Sequence, residues 1–254
     1  MPSEYHTRMK IDSFFQAEGI DAYTVTPLAC LREADRSDAL HLVPGARSVI
    51  VFGREIPVPV YGLPPVEKTR EIHRIAEDTD RTAIRLAESL LQEHIPSVPV
   101  PLLLPVRIKN GRLLGIIRLK RVAESGGLGT IGRSGLLISP RSGTRLVLSG
   151  VVTTMEGRTP RTTPVADLCR DCGRCVRACP GRAIGSDGAD AFRCRNISPW
   201  VPPSCVPVAT WLLRRKTLQR LAAPLAPVIA RHATMRCSRC VTVCPNFRTG
   251  EYSR

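Results

Sequence analysis

The fold class this sequence predicts is a mixed α/β (α+β) N-terminal domain followed by a smaller, cysteine-rich domain. Three observations predict it. Helix-like and strand-like apolar patterns alternate through the first part of the chain. Seven of the ten cysteines fall into two runs beyond residue 168, with Cys194 between them. Finally, 43% of the 254 residues are apolar, enough for a core larger than the cysteine region needs. We place the boundary so that residues 1–158 form the first domain and residues 159–254 the second.

Residues 8–19 carry a helical pattern stopped by Gly19, and Asp21–Leu28 reads as a strand. Pro44-Gly45 turns the chain into Ala46–Gly53, an apolar run suited to a buried strand. Residues 55–65, with four prolines, predict a loop. From Val66 to His94 the spacing of Ile72, Ile75, Ala76, Thr79, Ala83, Leu86, Leu90 and Leu91 predicts a long helix with one apolar stripe, ended by Pro96. The proline-rich residues 96–105 lead into Arg112–Arg118, and Lys120–Gly126 predicts a short helix. After the glycine-rich run Gly126–Gly132, Gly135–Ser139 and Thr144–Thr153 predict two strands joined by a turn at Pro140–Gly143. Trp211–Ala223 reads as a basic amphipathic helix that packs over the cysteine region.

Cys169, Cys172, Cys175 and Cys179, the last followed by Pro180, have the C-x2-C-x2-C-x3-C-P spacing of bacterial ferredoxins. In those proteins three closely spaced thiolates hold one [4Fe-4S] cube and the fourth reaches a second cube. Cys237, Cys240 and Cys244, followed by Pro245, repeat the latter part of the pattern. The second domain is therefore expected to be ferredoxin-like, with two [4Fe-4S] clusters and a role in electron transfer. Cys194 and Cys205 compete for the remaining ligand position, and Cys30 is expected to be a buried structural thiol. The five histidines show no zinc-site spacing, and no serine-hydrolase motif occurs.

Clustered thiols at metal spacing imply a reducing compartment. The N-terminal residues lack the apolar segment of a secretory signal, and no run approaches 18 apolar residues. A cytoplasmic protein without a transmembrane segment is expected. The net charge is +15, but residues 155–254 hold 17 Lys/Arg against 6 Asp/Glu, while residues 1–154 hold 20 against 16. Arg170, Arg174, Arg177, Arg182, Arg193, Arg195, Arg236 and Arg239 lie within a few residues of a cysteine. Such a concentration either compensates the negative charge of thiolate-bound clusters or forms a patch for an acidic partner, tRNA or a membrane surface. With 4% aromatic residues the chain lacks the stacking platforms of single-stranded nucleic-acid binders.

Leu42–Val51, Ala123–Pro140 with its Gly-Leu-Gly-Thr-Ile-Gly core, and Gly143–Thr153, followed by the cysteine pattern, resemble the epoxyqueuosine reductase family and, more distantly, the reductive dehalogenases. The resemblance implies an interleaved pair of clusters, with Cys169, Cys172, Cys175 and Cys244 around one and Cys179, Cys194, Cys237 and Cys240 around the other. It further implies that the first domain binds cobalamin or substrate, with Gly126, Gly127, Gly129 and Gly132 letting backbone approach the corrin. Two features depart from the family. Its general-acid segment aligns with Leu113–Arg118, which holds no carboxylate, and the helical repeats that follow its clusters have no counterpart after Cys244. Glu124, the nearest carboxylate downstream, is expected to cap or to pair with Arg118 or Arg121. No residue is assigned as catalytic.

Two functions are consistent with this reading. One is an iron-sulfur reductase passing single electrons to cobalamin or to a small electrophilic substrate. The other is a ferredoxin-like carrier or reductive activator for a partner such as a corrinoid protein. Both imply a ferredoxin- or flavodoxin-type electron donor, and the departures from the family disfavour tRNA as a substrate.

Overall fold

A computed structural model describes residues 2–20, 22–100, 106–109, 112–115, 117–157, 167–185, 188–196, 203–205, 207–208, 211, 215, 217 and 234–248. Its organising element is a four-stranded sheet of β1 (Tyr23–Pro27), β2 (Ser48–Glu55), β8 (Leu146–Thr153) and β3 (Ser97–Pro99), in that order and antiparallel throughout. Ile50 lies opposite Val25 and Val151, and Val51 opposite Thr24 and Gly150. Alternate residues of a strand point to opposite faces. Val49, Val51 and Val152 accordingly enter one core, and Ile50, Phe52 and Val151 the other.

Helices cover both faces. On the Ile50 face lie α1 (Pro2–Ala17), through Ile11 and Phe15, and α3 (Pro65–Gln92), through Ala83, Leu86 and Leu90. Burying one such large apolar side chain contributes about 1.5–3 kcal/mol. On the Val51 face lie α2 (Glu33–Leu42) and α4 (Leu119–Ser125), contributing Ala39, Val122 and Ala123.

The long helix keeps its expected stripe with two exceptions: Ala76 is half-buried and Leu91 is exposed. The expected loop at 55–65 is wound into a short 3-10 turn at Val58–Gly62. β4 (Val106–Lys109) and β5 (Arg112–Gly115) form a separate hairpin. β6 (Thr130–Ile131) pairs with β7 (Leu137–Ile138), so β7 and β8 are joined in sequence, as expected, but lie in different sheets. The Ser139–Gly143 bridge closes the turn between them. Cys30 is exposed at the end of a 3-10 turn, which corrects its expected burial. The expected helix 211–223 lies largely outside the described residues, as does the proposed boundary at 158/159. Among the described residues no helix is long and apolar enough to cross a membrane.

Beyond residue 166 two short helices carry the cysteine runs, α5 (Arg174–Ala178) and α6 (Arg239–Thr242), and they pack on one another. A two-stranded ribbon of β9 (Ile184–Gly185) and β10 (Gly188–Ala189) follows α5. The stretch leading into α6 is fastened to the first domain. Met235 N donates to Thr69 Oγ1 at 2.7 Å, Lys68 Nζ reaches Ser238 Oγ at 3.5 Å, and Thr144 Oγ1 donates to Val241 O at 3.2 Å.

Candidate iron-sulfur centre

All ten cysteines are free thiols. The loop carrying Cys169, Cys172 and Cys175 reverses direction within a few residues because Asp171 and Gly173 both take left-handed backbone, with φ of 45° and 68°. Glycine does this without strain, and aspartate is among the few side chains that tolerate it. Asp171 is also held in place, since Arg133 donates to both its carboxylate oxygens at 2.8 and 2.9 Å. Arg133 N in turn points at Cys169 Sγ, 3.4 Å away, which ties the loop to the glycine-rich segment.

The other cysteines converge from separate parts of the chain. Burial, first, and then the negative charge of Cys194, Cys237 and Cys179 push the Cys240 thiol up to about 11. These four sulfurs therefore share one neighbourhood. Cys175 is raised in the same way, by burial and by Cys169 and Cys172. Ala183 N donates to Cys179 Sγ at 3.2 Å, and Asn196, two residues beyond Cys194, exchanges two bonds with Cys237: Asn196 Nδ2 to Cys237 O at 2.9 Å and Cys237 N to Asn196 Oδ1 at 2.8 Å. Cys205 stands apart, exposed in the turn Pro203–Cys205.

No three His, Cys, Asp or Glu side chains among the described residues approach one another as closely as the ligands of a single metal ion. That spacing does not conflict with the sulfur neighbourhoods, because a cubane takes its thiolates at four separate corners rather than at one atom. The donor set fits such a cluster. Thiols that burial and mutual repulsion hold protonated become thiolates when iron replaces the proton, and backbone N–H groups aimed at sulfur stabilise the bound form.

The glycine-rich segment is different. A Cβ at Gly126 would stand 2.3 Å from the hydroxyls of Thr24 and Thr26, and one at Gly129 would stand 2.3 Å from the carbonyl oxygen of Ile138. At Gly132 it would meet Ile138 Cδ1 at 2.8 Å, with Cys169 Sγ at 3.5 Å, while Gly127 takes a left-handed φ of 79° to turn the chain. At Gly126, Gly129 and Gly132 the space a Cβ would take is filled by the chain's own atoms, so glycine permits close packing there. Gly129→Ala is accordingly expected to destabilise the fold by about 1–3 kcal/mol through overpacking against backbone, as a denaturant titration would measure.

Carboxylates near this segment are committed. Glu124 accepts from Arg121 at 2.9 Å and from Ile131 N at 2.7 Å, while Arg118 instead binds Asp35 with 2.9 and 2.6 Å contacts. Asp35 is 2% exposed and comes from α2, 83 residues earlier, a pairing that local sequence does not signal.

The 4Fe-4S binding domain family matches residues 163–185. An epoxyqueuosine reductase of Listeria monocytogenes is 32% identical over 108 residues, 42% of this chain and 26% of that protein. A solved epoxyqueuosine reductase from Streptococcus thermophilus superposes with a TM-score of 0.60 at 17% identity, covering 95% of this chain and 66% of the other. Over these stretches the chain is similar to epoxyqueuosine reductases in sequence and in fold. A tetrachloroethene reductive dehalogenase of Desulfitobacterium hafniense is 40% identical over 68 residues, 26% of this chain and 12% of that protein. The chain thus spans only part of the length of the relatives it matches.

Proposed function

We propose that this chain is an iron-sulfur oxidoreductase that relays single electrons through two [4Fe-4S] clusters to an acceptor at its first domain. Cys169, Cys172, Cys175 and Cys244 hold one cluster, and Cys179, Cys194, Cys237 and Cys240 the other. The observation that carries the reading is the shared neighbourhood of Cys179, Cys194, Cys237 and Cys240, drawn from three separate stretches. When bound, the clusters supply one-electron steps. The chain's own part is to present the thiolates, to direct N–H groups at sulfur, and to fix the second run against α3 and Thr144.

A second reading, a carrier or activator with no substrate chemistry of its own, is favoured by the committed carboxylates. Neither Glu124 nor Asp35 is free to protonate a leaving group, and reduction of an epoxide needs an acid at that oxygen. On the first reading the acceptor is cobalamin or a small electrophilic substrate.

Anaerobically reconstituted protein is expected to contain about eight irons per chain, and a value near four would contradict a pair of complete cubes. The same sample mixed with cobalamin separates the readings. A base-off shift followed by a Co(I) band on reduction assigns the corrin to this chain, and an unchanged corrin spectrum leaves the carrier reading.

A further inference from the structure

We propose that the basin between α5 and α6 docks a small acidic electron-carrier protein, which delivers electrons at the Cys244 edge of the first cluster. This rests on the two-cluster reading above and adds to it a place of arrival for electrons. The basin encloses about 670 Å3, and Arg174, Arg177, Thr242, Cys244, Pro245 and Phe247 line it.

Its chemistry suits electron delivery. Cys244 lines the basin and Arg174 adjoins Cys175, so a carrier seated here approaches two members of the first set of thiolates. Both sets also touch the first part of the chain: Cys169 accepts from Arg133 N, and the stretch bearing Cys237 and Cys240 is bonded to Thr69, Lys68 and Thr144, so electrons arriving at the basin enter a pair of sites that are both anchored there.

Charge selects the partner. Arg174 and Arg177 are exposed, as are Arg170, Arg182, Arg236 and Arg239 on the same runs. Of the acidic groups described in this region, Asp171 is bound by Arg133 and Asp190 lies 3.9 Å from Arg193. The surplus is therefore turned outward rather than neutralised by neighbouring carboxylates. Complementary charge gives fast, weak, salt-sensitive encounters, as suits a carrier that must leave after each transfer. RNA is less well served, because Phe247 is 8% exposed and no aromatic face in the basin is open for base stacking.

The step balances simply. One electron leaves the carrier's reduced centre, which is oxidised by one, and the oxidised cluster at Cys244 is reduced by one, with no bond made or broken.

The test uses the reconstituted full chain, its Arg174→Glu/Arg177→Glu form, and an acidic [2Fe-2S] ferredoxin as probe. The double variant is expected to raise the ferredoxin dissociation constant and slow ferredoxin-driven cluster reduction, each by about 10- to 100-fold at low salt. Its salt dependence should flatten, while iron content and reduction by photoreduced deazaflavin stay at wild-type levels. Arg177 also bonds Cys172 O, so Arg174→Glu alone, which touches no such bond, should show the same change on a smaller scale. Unchanged ferredoxin affinity and rate in both variants would overturn the proposal. So would loss of tRNA stem-loop binding with the ferredoxin rate intact, which would assign the face to RNA. Failure of deazaflavin to reduce even the wild type would overturn the relay reading, and the docking proposal with it.

Discussion

Alanine at Cys194 is expected to halve the iron content, from about eight to about four per chain, leaving one cluster signal on reduction where the parent shows two interacting ones. The reason is the position of Cys194 beside Cys240, with Asn196 fastening the same turn to Cys237. Alanine there removes one of the four thiolates of that neighbourhood. The protein should also melt earlier, because metal binding that requires the folded site contributes to folding stability. Cys205→Ala is the companion measurement, with iron expected to stay near eight. Iron retained in the first variant and lost in the second would give the ligand position to Cys205.

The second large effect is expected at Arg145. Its side chain is fully buried and binds three groups: Glu55 Oε1 at 2.6 Å, the carbonyl of Ile56 at 3.1 Å, and the carbonyl of Phe247, whose ring also lies under the guanidinium, 5.8 Å from centroid to Cζ. Removing one partner from a buried, bonded charge typically costs about 3–5 kcal/mol. Arg145→Ala should therefore lower Tm by roughly 10 °C, at the 2–4 °C per kcal/mol typical of this chain length. It should also weaken cluster retention, since Phe247 follows Cys244 by three residues. Arg145→Met keeps the volume but not the bonds, and it should recover part of the loss in Tm. A variant as stable as the parent would show that Glu55, 29% exposed, is satisfied by water alone.

Much of this architecture is legible in the residues, and what is not has identifiable causes. The stripe of α3 and the apolar runs of β2 and β8 announce themselves because each buries a regular face. By contrast, α2 buries Asp35 alongside Ala39, and the partner that makes the buried carboxylate tolerable is Arg118. No local pattern reveals a pairing across 83 positions. β3 has only three residues, one of them proline, and it is held as an edge by β8. The glycine-rich run is conspicuous in sequence, but its packing against Thr24, Thr26 and Ile138 comes from elements far along the chain and has no local signal.

The cysteine spacing carried the cluster reading on its own, and the choice between Cys194 and Cys205 needed three dimensions. Counting back from Cys237 as Cys169 precedes Cys172 gives Thr234, so the second run lacks one member of the repeat. The gap leaves one position to a cysteine elsewhere in the chain, and it is Cys194 whose charge is felt at Cys240. The arginines were ambiguous by sequence, and their shared exposure gives them a surface to present.

The fastening of the second run to Thr69, Thr144 and Arg145 also bears on the order of events during synthesis. These bonds join residues 166, 97 and 102 positions apart, and the later partner in each is translated well after the sheet. The sheet and its helices are complete by residue 153, so they can fold while the tail is still being translated. Cys237, Cys240 and Cys244 arrive only afterwards, onto a surface already formed. A nascent chain that has not yet reached residue 237 lacks the second cysteine run and so has only part of the thiol set.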